Sequence, residues 1–224
     1  MFGLLLELNR GVPNGTLRGV RGRGNPPYSI PPYIFYTDGV YLYCKLNMAR
    51  GELQMFKENE LVMYGSTGVC RVKEIGRPSF VDKDDKRIYY LLEPVFQSGV
   101  IYTPIDNEKV PIRAVISAES ASELLNNLDE LEIDDYKCKS SQQLSQHYQS
   151  ILENHCCADL LAMTKSIYIK SMVADRNKKH LGQIDKRYMK RAEDLVYSEF
   201  AVALDTDRED VERYIKDKLG KYII

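Results

Sequence analysis

The sequence predicts an α+β protein in two domains: a small five-stranded β-barrel of the SH3 or Tudor kind over residues 55–115, then an all-α helical domain over residues 116–224. Three observations carry this. Between Phe56 and Val115, short β-rich runs alternate with Gly-, Pro-, Asp- and Ser-rich turns. After Ile116 the apolar residues recur at spacings of three and four. Residues 1–54 keep neither period.

The first 54 residues are rich in Gly, Pro, Arg and Tyr, and the Pro pairs at 26–27 and 31–32 forbid helix and disrupt strand. Two readings stay open. One is a disordered basic extension. The other is a mis-called start: Arg50-Gly51-Glu52 is what a purine-rich ribosome-binding sequence would encode, and it lies just before Met55, where the ordered pattern begins. On that reading translation starts at Met55 or, as a second choice, Met48, and the native mass lacks the residues before that start.

Leu61-Val62-Met63-Tyr64 is a short apolar run closed by the turn Gly65-Ser66-Thr67-Gly68. Val69 to Ile75 reads as a second strand, ended by Gly76 and Pro78. Asp82 to Lys86 is a polar hairpin tip, and Arg87 to Val95 is rich in β-formers. Gln97-Ser98-Gly99 turns into a fourth strand, Val100 to Pro104, and Lys109 to Val115 supplies the fifth. Five short strands with tight turns in so few residues indicate a small barrel.

Beyond Ile116, Ser120 and Glu123 have capping-box spacing before Leu124, Leu125 and Leu128. Leu144, Tyr148, Ile151 and Leu152 form one helical stripe. Asp159 reads as the cap of a helix carrying Leu160, Met163, Ile167 and Tyr168. Ile184, Tyr188, Ala192, Leu195 and Val196 mark a long amphipathic helix. Thr206 and Glu209 cap a last one bearing Val211, Tyr214, Ile215 and Leu219, and Asp129–Ser141 reads as a linker.

The chain has an apolar content of 44% and a charged content of 28%, enough to bury a core. It has no apolar run long enough to span a bilayer, and its first residues make a poor signal peptide, so a cytoplasmic location is expected. Five cysteines without framework spacing argue against a disulfide-stapled secreted fold. The net charge of −1 hides three blocks: −5 over residues 116–140, +5 over 141–191 and −4 over 192–224. A basic block between acidic ones is either a local nucleic-acid footprint or a solvated helix surface.

No catalytic pattern is present. GxSxG, the GxxxxGK[ST] phosphate loop, a GxGxxG after a strand and HExxH are all missing. His155-Cys156-Cys157 is the nearest approach to a metal cluster, but adjacent helical residues point apart. We therefore expect no enzyme, no metal, no cofactor, no small-molecule substrate and no membrane partner.

The segment FKENELVMYGSTGVCRVKEI resembles the opening of the CarD family of bacterial transcription regulators, whose β module is shared with the transcription-repair coupling factor. Tyr89 to Leu92, the Val100 to Pro104 strand and Pro111-Ile112-Arg113 fall where that family has its later strands. Leu181 to Glu199 looks like its long penultimate helix. The resemblance implies a module that docks on the RNA polymerase β subunit, partly by edge-to-edge strand pairing, with Arg77, Pro78, Phe80 and Tyr102 on or near the contact.

It also implies a helical domain that contacts promoter DNA at the edge of the melted region and so modulates open-complex stability. The family wedges a tryptophan into the minor groove there. This sequence has no Trp, and Leu144 stands at that position, followed by Gln146, His147 and Gln149 where bases are expected. The residues left to contact DNA are Leu144, Tyr148, Lys178, Lys179, Lys186, Arg187, Lys190 and Arg191. A second reading is a protein-interaction adaptor that binds polymerase or another partner without touching DNA.

Overall fold

Alternation sets the sheet. In the computed structural model, which describes residues 55–221 apart from Lys83, Asp85, Asp134, Asp135, Lys137, Cys138 and Lys139, strand β1 is Leu61–Tyr64. Val62 and Tyr64 turn to one face and Met63 to the other, and all three are buried. This is why the run is apolar without a polar partner set: the strand is covered on both sides. The expectations for residues 1–54, disordered or not translated, lie outside the described residues.

The other strands are β2 (Gly68–Gly76), β3 (Tyr89–Pro94), β4 (Ile101–Pro104) and β5 (Ile112–Ala114). All pair antiparallel in the order β4-β3-β2-β1-β5. Where the sequence predicts a barrel, the strands form an open sheet: among the described residues no ladder joins β4 to β5, which stand at its two ends. β2 carries a bulge between Val72 and Glu74. The β1–β2 turn is a single 3-10 turn, Gly65–Thr67. Gly65 has φ +45° and a Cβ there would sit 2.6 Å from Val110 Cγ1, so only glycine fits.

One sheet face closes a small core of Phe56, Val62, Tyr64, Cys70, Val72, Tyr90 and Leu92. The Phe56 N–H donates to the Tyr90 hydroxyl at 3.0 Å, which holds the incoming chain across this core. The opposite face sends Met63 and Val69 into the helical core, beside Ile116, Leu195 and Val196. Sheet and helices thus contribute to one core cluster.

The helices are α1 (Ala118–Asn126), α2 (Ser141–Asn154), α3 (Cys157–Arg176), α4 (Gln183–Ala203) and α5 (Arg208–Gly220). α1 begins one turn earlier than the capping-box spacing suggests. Ser117 is its N-cap and accepts from the Ser120 N–H at 3.2 Å. Likewise Cys156, not Asp159, precedes α3, and Asp207, not Thr206, precedes α5. The acids at those starts lie inside the first turn, where they meet the positive end of the helix dipole.

Two lysines close the far end of α1. Buried Lys165 on α3 donates to the carbonyls of Leu128, Asp129 and Leu131 at 3.0, 2.8 and 2.7 Å. Lys218 on α5 donates to those of Leu125 and Asn126, both at 2.9 Å. An ammonium is the natural partner of the carbonyls a helix end leaves unpaired. Burial holds Lys165 below the usual lysine pKa, with Asp129 opposing the shift.

Candidate functional site

The first candidate surface is the open edge at β4. Its strand is four residues long, with Thr103 buried, Ile101 half-buried and Tyr102 exposed, so alternation sends the tyrosine to solvent. Phe80 comes from the loop before β3 and meets Tyr102 edge to face, with ring centroids 4.7 Å apart and planes at 84°. Phe80 is 67% exposed, so this aromatic pair stands on the surface rather than in the core. Arg77 donates through Nη2 to the Asp82 carbonyl and so ties the loop back on itself. Arg77, Pro78 and Tyr102 share the lining of a shallow cavity of about 270 Å3 with Tyr89 and Leu91.

All four residues expected at the polymerase contact are thus brought together at one sheet edge. Sequence reasoning missed Val100 and Ile88, which are exposed on the same strands' approaches. The signal for Val100 was available: it has the same parity as Tyr102 and so falls on the same side of an extended chain.

The second candidate surface is helical. Lys186, Arg187 and Lys190 are exposed on α4, with Arg191 half-buried one turn below Arg187. Arg187 lies 4.9 Å from the Tyr188 ring centroid and Arg191 5.7 Å from it. Both reach back to α2: Arg187 donates to Ser145 Oγ at 3.3 Å and Arg191 to Gln149 Oε1 at 3.2 Å. Lys178 and Lys179 are exposed just beyond the end of α3, away from this sequence run.

Tyr148 does not belong to a DNA-facing surface. It is fully buried, its hydroxyl donates to Asp185 Oδ1 at 2.8 Å and accepts from Lys170 Nζ at 2.8 Å. Its place on the apolar stripe of α2 decides its role, and the stripe faces the core. Leu144 is half-buried against that same core. Its neighbour His147 stacks on Tyr136 at 3.9 Å with the planes 11° apart. α2 itself carries no Lys or Arg.

A buried ion pair that sequence reasoning also missed ties β5 to α4. Arg113 of β5 forms a bidentate fork with Glu199 of α4: Nη1 donates to Oε1, and Nη2 to Oε2 at 2.7 Å. Arg113 also donates through Nε to the His155 carbonyl at 2.9 Å, and the Ile116 N–H donates to Glu199 Oε1 at 3.1 Å. Glu199 is completely buried, so every donor it meets is needed to offset lost hydration. His155 caps α2 in the left-handed conformation at φ +48°, and its Nδ1 is buried without a partner. Burial first, then the Arg113 charge, holds its pKa below the usual histidine value. Burial likewise raises the Cys70 thiol to about 11, so it stays protonated and packs as an apolar group.

Among the described residues no group of three His, Cys, Asp or Glu side chains is placed to hold a metal ion, and no helix is long and apolar enough to cross a membrane. Residues 56–116 match the family described as the CarD-like/TRCF RID domain, the RNA-polymerase interaction domain. The match takes in all five strands and ends at the first residue of the helical core, Ile116. The match over these residues supports an RNA polymerase-interacting role in transcription. No curated protein gives a match to the chain.

Proposed function

We propose that the chain is a non-enzymatic transcription regulator that docks on the RNA polymerase β subunit through β4 and modulates the lifetime of promoter open complexes. The observation that carries the reading is the exposed Phe80–Tyr102 pair beside an unpaired strand edge, inside the matched domain. An open edge offers backbone donors and acceptors for strand addition, and an aromatic anchor next to it supplies the buried area that makes such pairing tight. Arg77, Pro78, Phe80 and Tyr102 are the proposed contact.

Promoter DNA would meet the exposed bases of α4, Lys186, Arg187 and Lys190, with Arg191 beside them and Lys178 and Lys179 as outlying phosphate contacts. Such contacts add affinity without reading sequence and weaken with salt. The adaptor reading, polymerase binding without DNA contact, is favoured by one specific observation: α2, where the wedge belongs, carries no base and turns Tyr148 and Leu144 to the core.

Promoter complexes formed with the full chain separate these readings. Phe80→Ala should fold normally, because the side chain is mostly exposed, and should weaken polymerase binding about tenfold, the cost of a ~1.4 kcal/mol anchor. Lys186→Glu with Arg187→Glu should leave polymerase binding intact and shorten the protein's effect on complex lifetime. An unchanged lifetime with binding retained removes the DNA contact and leaves the adaptor. Wild-type binding by folded Phe80→Ala removes the docking site.

A further inference from the structure

A second cleft, of about 170 Å3, opens where the Gly65–Thr67 turn, the loop after β3 and helices α4 and α5 meet. Its polar lining includes Ser66, Thr67, Gln97, Asp194, Arg191 and Arg208. Two guanidinium groups thus stand against one carboxylate, and that carboxylate is already committed: Arg208 Nη2 donates to Asp194 Oδ1. Each guanidinium has five N–H donors. Arg191 directs one of them to Gln149 Oε1 and Arg208 one to Asp194. The side chains of Ser66, Thr67 and Gln97 have no hydrogen-bond partner among the described residues.

The cleft therefore holds an excess of donors from three separate parts of the chain and lacks a matching acceptor. Guanidinium forks and hydroxyls are the donors that recognise oxyanions, phosphate above all. Size narrows the ligand. At about 170 Å3 the cleft is smaller than the ~300–1,000 Å3 of pockets that enclose whole small molecules. It has room for a phosphate group.

We propose that this cleft is a phosphate-binding site shared by the β module and the helices, with Arg191 and Arg208 as its cations and Thr67 and Ser66 as its hydroxyl donors. The phosphate comes either from a free phosphate or from one phosphodiester of a nucleic acid. The second source rests on the DNA reading above, since Arg191 lies one turn from Arg187 on the exposed basic run of α4.

The test uses the full chain, wild type and two variants, Thr67→Val and Arg208→Gln. Thr67→Val keeps shape and touches no ion pair, so folding is retained even if Arg208→Gln disturbs Asp194. Thermal unfolding is followed in sodium phosphate and sodium pyrophosphate against sodium chloride of equal ionic strength, and duplex DNA binding is followed by anisotropy. A saturable rise in Tm specific to phosphate, reduced at least threefold in both variants, supports a free phosphate ligand. Duplex affinity reduced at least threefold in both variants, with a salt slope shallower by about one, supports a backbone phosphodiester. No phosphate-specific rise together with unchanged duplex affinity in both variants overturns the proposal. If Lys186→Glu still weakens duplex binding in that case, the DNA reading survives and the cleft does not.

Discussion

Arg113→Met is the sharpest test of how the β module is held to the helices. The change removes both arms of the fork and leaves the Glu199 carboxylate, 0% exposed, with the Ile116 N–H as its remaining hydrogen-bond donor among those described. Breaking a buried pair by removing one partner costs about 3–5 kcal/mol, because the other charge stays buried without compensation. For a chain of this size each kcal/mol lowers Tm by about 2–4 °C, so a fall of about 6–20 °C is expected. Replacing both partners, Arg113→Met with Glu199→Leu, removes the uncompensated charge and should recover most of the loss. Urea denaturation followed by far-UV circular dichroism measures four proteins, wild type, Arg113→Met, Glu199→Leu and the double variant, and the double-mutant cycle isolates the pair. If Arg113→Met costs less than about 1 kcal/mol, or the double variant is as unstable as the sum of the singles, the carboxylate is not stranded and the reasoning fails.

Two further outcomes follow from buried titratable groups. His155 prefers its neutral form in the folded protein, so the unfolded chain binds more protons and stability must fall with pH. The loss should begin as pH drops through about 6.5, the unfolded histidine value, and continue down to the lowered folded one. His155→Asn, which tolerates the left-handed backbone, should flatten that part of the urea midpoint profile. Lys165→Met should cost about 1–3 kcal/mol in the same assay, because three carbonyls in the turn that follows α1 lose their donor.

The strands were legible because their signal is local. β1 coincides with the predicted Leu61–Tyr64 run, β3, β4 and β5 fall inside the predicted ones, and β2 runs one residue past the predicted strand at each end, since glycines and prolines punctuate the chain there. Helix starts were less legible. Serines at 117, 120 and 122 offer several frames for one cap, and in the fold it is Ser117 that accepts from the Ser120 N–H. Tyr148 is instructive because two signals disagreed. Its helical stripe pointed to the core, and the resemblance pointed to DNA; burial follows the stripe. Arg113 and Glu199 are separated by 86 residues, and nothing local in either segment announces the other. Sheet closure was equally invisible, since strand count does not determine whether the two end strands meet.

The strand order also gives the module a mechanical role. The proposed docking edge, β4, is at one end of the sheet, while β2, the Gly65–Thr67 turn and Arg113 of β5 at the other end meet the helices. Adjacent strands are about 4.8 Å apart, so the four steps from β4 to β5 span about 19 Å along the sheet. A partner held at β4 therefore has no need to touch α4 for its position to fix that of α4. The hydrogen-bonded ladders and the Arg113–Glu199 fork transmit it. This places the two functions in different failure modes. Loss of Phe80 releases the partner and leaves the ladder whole, whereas loss of Arg113 keeps the docking edge and loosens what it carries. A regulator working by tethered positioning must be sensitive to both lesions. An adaptor that needs only the docking edge should tolerate the second wherever the sheet itself stays folded.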